Sequence, residues 1–157
     1  LRFEIGLPVG GLEQVRALYA RGTEIIISRG ITAMAIKNEG IGVVIVEIPV
    51  TTYDIIRAIE KAKRHGQCLA LVVFSAMIKG ISSLGEALGI DLRIYFLESE
   101  QDAESKVALA MHAGADAVVG GYVAEIAARK IGCPFELIEN GQEATRYVLA
   151  DENNWWK

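Results

Sequence analysis

The feature that most constrains the fold is the alternation of short β-branched runs with longer segments of helical periodicity. The runs predict strands at Leu1–Ile5, Glu24–Ser28, Val43–Ile48, Cys68–Phe74, Leu92–Leu97, Ala117–Val119 and Phe135–Ile138. Parallel strands need long crossover connections, which helices usually supply, so strands that alternate with helices are typical of parallel sheets. The pattern therefore predicts the α/β class, with helices covering parallel sheets.

Three segments have clear signals for a helix start. Thr51 with Asp54 has the spacing of a capping box and predicts a helix over residues 52–65. Its last turn is basic and Gly66 follows, as is common at helix ends. Two further pairs have the same spacing and predict helix starts: Ser99 with Asp102, and Asn140 with Glu143.

Composition excludes several classes of function. The chain has 157 residues, 52% of them hydrophobic, and its longest apolar runs fall short of a membrane span. We therefore expect a cytoplasmic protein without a membrane partner. The net charge of −4 provides no basic surface for a phosphate backbone, so we expect no direct nucleic acid contact. Cys68 and Cys133 stand alone, which predicts neither a disulfide framework nor a metal site.

The sequence repeats itself at a distance of 92 positions. Without a gap, Gly22 aligns with Gly114, Val15 with Val107, and Ile27 with Val119. The match continues further along the chain, where residues 45–47 align with residues 137–139. Two halves that share one ancestral arrangement of strands and helices explain these matches better than chance does.

The same alignment pairs residues 1–3 with 93–95, so Cys68–Phe74 and the helix near Ser83–Leu88 have no counterpart in the first half. Either the chain is a fragment, or the first sheet is naturally smaller. We predict a first lobe at 1–50 that is incomplete at its N-terminus, a linking helix at 51–66, a second lobe at 67–139, and a C-terminal helix and linker start at 140–157.

Ligands of open parallel sheets bind beyond the carboxyl ends of the strands, and this rule selects two turns. Ser28, Arg29, Gly30 and Thr32 lie where a strand meets a helix, and they supply a guanidinium, hydroxyls and a flexible backbone. Together with helix N–H groups, they outline a site for a carboxylate or phosphate. The alternative is that Arg29 pairs with a neighbouring acid and Gly30 only serves the turn.

The equivalent turn of the second half is Gly120, Gly121 and Tyr122, whose glycines allow a ligand to approach the backbone. A tight structural connection would explain them equally well. The remaining candidates at this rim are Glu47, Pro49, Thr51 and Ser75. Capping alone would also account for Thr51.

Known catalytic patterns are absent from the sequence. Glu86 stands where a phosphate-binding loop requires lysine, and His65 and His112 lack the partners of a triad or metal site. We therefore predict no catalytic residue, no metal and no cofactor. A two-lobed synthase, racemase or lyase that acts on a small carboxylate remains the alternative, and an interaction module without a ligand is a third possibility.

Three blocks of the sequence resemble a known family. They are residues 25–33 (IIISRGITA), residues 46–51 (VEIPVT) with Asp54, Arg57 and Ala58, and residues 118–121 (VVGG). In this order they are similar to the N-terminal sensory domain of propionate catabolism activators, which are sigma-54-dependent transcriptional regulators of the PrpR type. The resemblance covers nearly the whole chain.

The resemblance implies a receptor domain of two flavodoxin-like or chelatase-like three-layer lobes that binds an organic acid between them. In the best-known members the effector is 2-methylcitrate. Binding would relieve the inhibition of a downstream AAA+ ATPase domain of the same full-length regulator, and we expect a homo-oligomer. This chain departs from the family pattern at Ile31 and Tyr122, where glycine is common. The shape of the pocket, and with it the effector, is therefore expected to differ.

Overall fold

The computed structural model describes residues 11–75, 81 and 83–141, and these residues form two compact units. The first unit is described over residues 11–49, and the second is Val50–Gly141. The predicted strand at 1–5 and the predicted helix that begins at Asn140 and Glu143 lie outside the described residues, entirely or in large part. Within the described ranges, no helix is long and apolar enough to span a bilayer.

Over its described residues 11–49, the first unit contains two helices and two parallel strands. In chain order these are α1 (Gly11–Ala20), β1 (Ile25–Arg29), α2 (Gly30–Glu39) and β2 (Val44–Ile48). The two strands pair in parallel, with Ile25 opposite Val44 and Arg29 opposite Ile48. Helix α2 crosses from one strand to the next and packs against both, as a parallel connection requires.

In the described part of the second unit there are four parallel strands and four α-helices, with a short 3-10 helix at Glu100–Asp102. They are α3 (Thr52–Ala62), β3 (Cys68–Phe74), α4 (Leu84–Leu88), β4 (Asp91–Leu97), α5 (Ala103–His112), β5 (Ala117–Gly120), α6 (Tyr122–Ile131) and β6 (Phe135–Leu137). The strand order is β4-β3-β5-β6. These elements confirm the predicted α/β class with parallel sheets, because strands and helices alternate in both units.

The core of the second unit lies on both faces of its sheet. Every residue of β3 after Cys68 is buried, as expected for a central strand covered on both sides. On one face, Ile55 and Ile59 of α3 pack in a cluster with Leu71 and Val119. Helix α3, which the sequence assigns to a link, thus packs on this sheet; whether it also links two lobes stays a prediction.

The structure confirms the repeat in its helices. Helix α1 and α5 have the same length and stand 92 positions apart, and so do α2 and α6. Gly22 and Gly114, which the sequence aligns, both have positive φ, at 86° and 92°. Val15 and Val107 are both buried. The duplicated plan therefore includes the bounds of these helices, the turns at Gly22 and Gly114, and the buried position of Val15 and Val107.

The repeat changes its spacing before β2, and here the gapless alignment was wrong. Ile26 pairs with Ile45, whereas its counterpart Val118 pairs with Phe135, so β2 and β6 are related by 90 positions. The connection from α2 to β2 is longer by two residues. Because side chains alternate along a strand with a period of two, this insertion leaves every side chain on its original face.

Candidate functional site

The first predicted turn lies at the carboxyl end of β1. Arg29 is the last residue of the strand and the N-cap of α2, with extended backbone at φ −135° and ψ 150°. Its side chain makes no capping hydrogen bond to the helix. Gly30 follows with φ 60°, in the left-handed region that favours glycine. This turn therefore combines a guanidinium with a helix N-terminus that the Arg29 side chain does not cap.

Ser28 and Thr32 flank this turn from the strand and from the helix. Ser28 lies opposite Glu47 in the parallel pair β1–β2, so the two side chains share a face. Thr32 is partly buried, and a Cβ placed on Gly11 would lie 3.0 Å from its methyl carbon, which packs Thr32 close to the start of α1. The structure thus brings Ser28, Arg29, Gly30 and Thr32 together at one end of the first unit.

The second predicted turn lies at the carboxyl end of β5. Gly120 is buried, and a Cβ there would lie 2.6 Å from the carbonyl oxygen of Val72 and 2.8 Å from Cβ of Ala124. Close packing therefore requires glycine at this position. Gly121 is different, because a Cβ there would meet no atom within 4 Å.

Gly121 is the N-cap of α6, and it makes no side-chain capping bond to the helix. Tyr122, the first residue of α6, is 43% exposed. A glycine N-cap has no side chain that could occupy the first backbone N–H groups of α6, and such groups can bind an anion. By the repeat, Gly121 is the counterpart of Arg29, so the two turns have the same backbone position and different chemistry.

The four rim candidates have different surroundings. Glu47 accepts a hydrogen bond from Lys37 Nζ at 2.6 Å. Pro49 is exposed between β2 and α3. Ser75 is exposed directly after β3, at the same sheet edge as the turn after β5, because the strands are parallel. Thr51 caps α3.

Thr51 and Asp54 form the predicted capping box. The Thr51 hydroxyl accepts from the Asp54 backbone N–H at 3.1 Å, and Asp54 Oδ2 accepts from the Thr51 N–H at 3.0 Å. The box accounts for the position of Thr51. Asp54 itself is 2% exposed, which is unusual for a capping carboxylate and indicates a further role.

That further role is a long-range contact that the sequence analysis missed. Asp54 Oδ1 accepts from the backbone N–H of Gly141 at 2.8 Å and from Arg57 Nη2 at 2.6 Å. One buried carboxylate thus joins Thr51, near the start of the second unit, to Gly141 at its end. The Asp-x-x-Arg spacing was visible in the sequence, but nothing local indicated Gly141.

The hydrogen bonds of Asp54 determine its protonation. Burial acts to raise its pKa, but the N–H groups of Thr51 and Gly141, with further hydrogen bonds to Thr51 and Arg57, outweigh burial and hold the pKa below its ordinary value. Asp54 is therefore an aspartate at neutral pH, and its charge is stabilised by the contacts that join the two chain segments.

Other titratable groups have structural partners. Glu139 pairs with Lys61 at 2.7 Å on the surface, and the Lys61 ammonium lowers the pKa of Glu139. His112 Nδ1 lies 3.1 Å from the carbonyl oxygen of Ala108 in its own helix. Among the residues that the structure describes, no group of three or more histidine, cysteine, aspartate or glutamate side chains could hold a metal ion.

Comparisons with known proteins identify relatives of the chain. A family profile described as propionate catabolism activator matches residues 6–151. Among solved structures, an NtrC family transcriptional regulator from Clostridium acetobutylicum is similar, with a TM-score of 0.80 and 26% sequence identity. The match covers 94% of this chain and 77% of that chain. A search of curated proteins finds no match.

Proposed function

The chain belongs to the family of propionate catabolism activators, and from this premise we propose that it is the effector-sensing domain of a sigma-54-dependent transcriptional activator. The proposed effector is a small organic acid that resembles 2-methylcitrate. Its binding relieves the inhibition of a downstream AAA+ ATPase domain in the same full-length regulator. The domain senses the acid without converting it, and it works in the cytoplasm as part of a homo-oligomer.

The observation that carries the proposal is the turn from β1 to α2. Arg29 ends the strand where α2 begins, and its side chain makes no capping hydrogen bond to that helix. A guanidinium can form two parallel hydrogen bonds to one carboxylate, and helix N-termini favour negative charge. An organic acid matches both groups, whereas a neutral or cationic ligand would match neither.

The turn from β5 to α6 supports an acid ligand in a second way. Gly121 offers open space and uncapped backbone N–H groups at the equivalent position of the repeat. Backbone donors bind carboxylates without a positively charged side chain. The two turns therefore offer two kinds of donor that suit a carboxylate, each within its own unit.

Effector binding transmits a signal only if it favours one conformation of the domain over another. A hundredfold preference for one state corresponds to about 2.7 kcal/mol, which shifts a balanced equilibrium almost completely. The carboxylate interactions at Arg29 are of the right size, because charged hydrogen bonds contribute about 1.5–3 kcal/mol each.

The proposal is tested by calorimetric titration of the purified domain with 2-methylcitrate, citrate, succinate and propionate. We expect stoichiometric binding of at least one tricarboxylate, and at least tenfold weaker binding by Arg29→Ala with unchanged thermal unfolding. Arg129→Ala is the matched control, because Arg129 is exposed and, within the described part of the chain, forms an ion pair with Glu125 of its own helix. Its affinity should equal that of the wild type.

Two results would contradict the proposal. Equal affinity of the Arg29→Ala variant and the wild type would remove Arg29 from the site. NMR of the acid mixed with the purified chain would show whether the acid is converted. Conversion would favour the alternative of a two-lobed enzyme over a sensor.

A further inference from the structure

Strand β4 forms one edge of the four-stranded sheet in the second unit. It runs over seven residues, Asp91–Leu97, and pairs in parallel with β3 along its whole length. Within the described part of the chain, no strand pairs with its other side. The strand contains no proline, and its register with β3 is continuous. It therefore lacks two of the features by which edge strands usually avoid pairing with another chain.

The hydrogen bond at the start of β4 shows which backbone groups face outward. Asp91 donates its backbone N–H to the carbonyl oxygen of Gln67, on the side of β3, at 3.0 Å. The N–H and C=O of one residue point to the same side of a strand, and that side alternates from one residue to the next. The N–H and C=O groups of Leu92, Ile94 and Phe96 therefore point away from the sheet.

The two charged residues of β4 are paired with each other. Arg93 Nη2 donates to Asp91 Oδ2 at 2.7 Å, and Arg93 Nη1 donates to the carbonyl oxygen of Ala113, the C-cap of α5. These contacts keep the guanidinium on the α5 side of its own sheet. The outer edge of β4 thus carries no uncompensated charge, although charged side chains are a common protection of edge strands.

Exposed apolar side chains flank this edge on both faces of the sheet. Phe96 is 44% exposed, and by alternation it lies on the opposite face from Arg93. Leu109 of α5 is 56% exposed, and it lies one helical turn before Ala113, which accepts from Arg93. Leu109 is therefore on the flank of α5 toward β4. Glu104, on the other flank, pairs with α6.

A second copy of the chain matches this edge when the two β4 strands run antiparallel. We propose that two copies pair there around a two-fold axis at Ile94, which joins their sheets into one. The axis places Ile94 opposite Ile94 of the second copy, and Leu92 opposite Phe96 of the second copy. The outward N–H and C=O groups of all three residues then form the hydrogen-bonded pairs of an antiparallel ladder. Such an interface is self-complementary, as two-fold symmetry requires.

Other positions of the axis fit less well. An axis at Ile94, the middle residue of β4, pairs the whole strand and places Arg93 opposite Tyr95 of the second copy. A cation and an aromatic ring attract each other at this distance. An axis at Arg93 would shorten the paired region and place two guanidinium groups opposite each other, which is destabilising.

The proposal deepens the homo-oligomer of the proposed function and rests on it in this respect. It assigns the contact to a surface of the second unit alone, and it involves no effector. Acid binding is measured by calorimetry and dimerisation by sedimentation, so each can fail without the other.

Sedimentation velocity of the whole chain over a series of concentrations tests the contact. We expect a dimer whose dissociation constant rises at least about tenfold in Phe96→Lys, because the lysine would face Leu92 of the second copy and lose hydration. Ile131→Lys is the matched control, since Ile131 is 38% exposed at the end of α6. It should dimerise as the wild type does. A chain that stays monomeric, or a dimer that Phe96→Lys does not weaken, would overturn the proposal.

Amide hydrogen exchange measured by NMR tests the pairing of the strand itself. The N–H groups of Leu92, Ile94 and Phe96 should exchange slowly at high protein concentration and faster upon dilution. Those of Arg93 and Tyr95 should stay protected at both concentrations, because they point toward β3. Exchange at Leu92, Ile94 and Phe96 that does not depend on concentration would show that the edge of β4 is not the contact.

Discussion

The turns that follow β1 and β5 have the same place in the repeat, but one carries a guanidinium and the other bare backbone. Arg29 and Gly121 are both N-caps with extended backbone, at the start of helices of equal length. The neighbouring pair differs as well, since Ser28 corresponds to Gly120. The two halves share the bounds of these helices, while the turns at the strand ends diverged. Ligand chemistry can thus differ between turns that hold the same place in the repeat.

The comparison extends to the two segments that leave β2 and β6. Thr51 and Gly141 stand 90 positions apart, the spacing that relates the two strands, and both donate a backbone N–H to Asp54. Asp54 therefore joins two equivalent segments of the repeat. The contact is not symmetric, because only the segment after β2 supplies a carboxylate.

The largest effect is expected for Asp54→Ala, which removes this shared contact. Thr51 and Gly141 would lose an acceptor and Arg57 its partner, so we expect a loss of about 3 kcal/mol in the free energy of unfolding. Asp102→Ala is the matched control, because Asp102 closes the capping box of Ser99 nearer the surface. Its loss should be clearly smaller, measured by urea unfolding.

The same contact predicts a pH dependence. The folded pKa of Asp54 lies below its unfolded value, so its stabilisation is present above about pH 4 and is lost as the pH falls through the lowered pKa. The stability difference between the wild type and Asp54→Ala should therefore shrink upon acidification. A constant difference from pH 7 to pH 3 would show that the charge of Asp54 contributes nothing.

An intermediate loss of stability is expected for Gly120→Ala. Ser28→Ala, at the equivalent position of the first unit, is its control. The new Cβ at 120 would overlap the Val72 carbonyl oxygen and Ala124, at a cost of about 2 kcal/mol. Ser28 already carries a Cβ, and its change to alanine should cost less than about 1 kcal/mol. Equal losses in thermal unfolding would mean that the two turns are packed alike.

The smallest effect on stability is expected for Gly121→Ala. Its backbone, at φ −83°, suits any residue, and a Cβ there would meet open space, so the change should stay within about 0.5 kcal/mol. The same variant should bind the effector more weakly if a ligand approaches these N–H groups. If calorimetry shows that Gly121→Ala binds the effector as tightly as the wild type, these N–H groups do not contact the ligand.

Much of the frame could be predicted from the sequence because its signals are local. The capping boxes at Thr51 and Ser99 both formed, since each needs only residues three positions apart. The strands from β1 to β6 appeared within about two residues of their predicted bounds. The candidate turns also lie at strand ends, because that position follows from the alternation of strands and helices.

Sequence by itself determined the α/β alternation, the helix starts and the repeat, since these depend on neighbours in the chain and on side-chain periodicity. Only the tertiary structure decided the two-residue change of register, the close packing of Gly120 against Val72 and the contact of Asp54 with Gly141. These features join residues that are distant in sequence. Their energies depend on which backbone atoms meet after folding, and no local pattern records that.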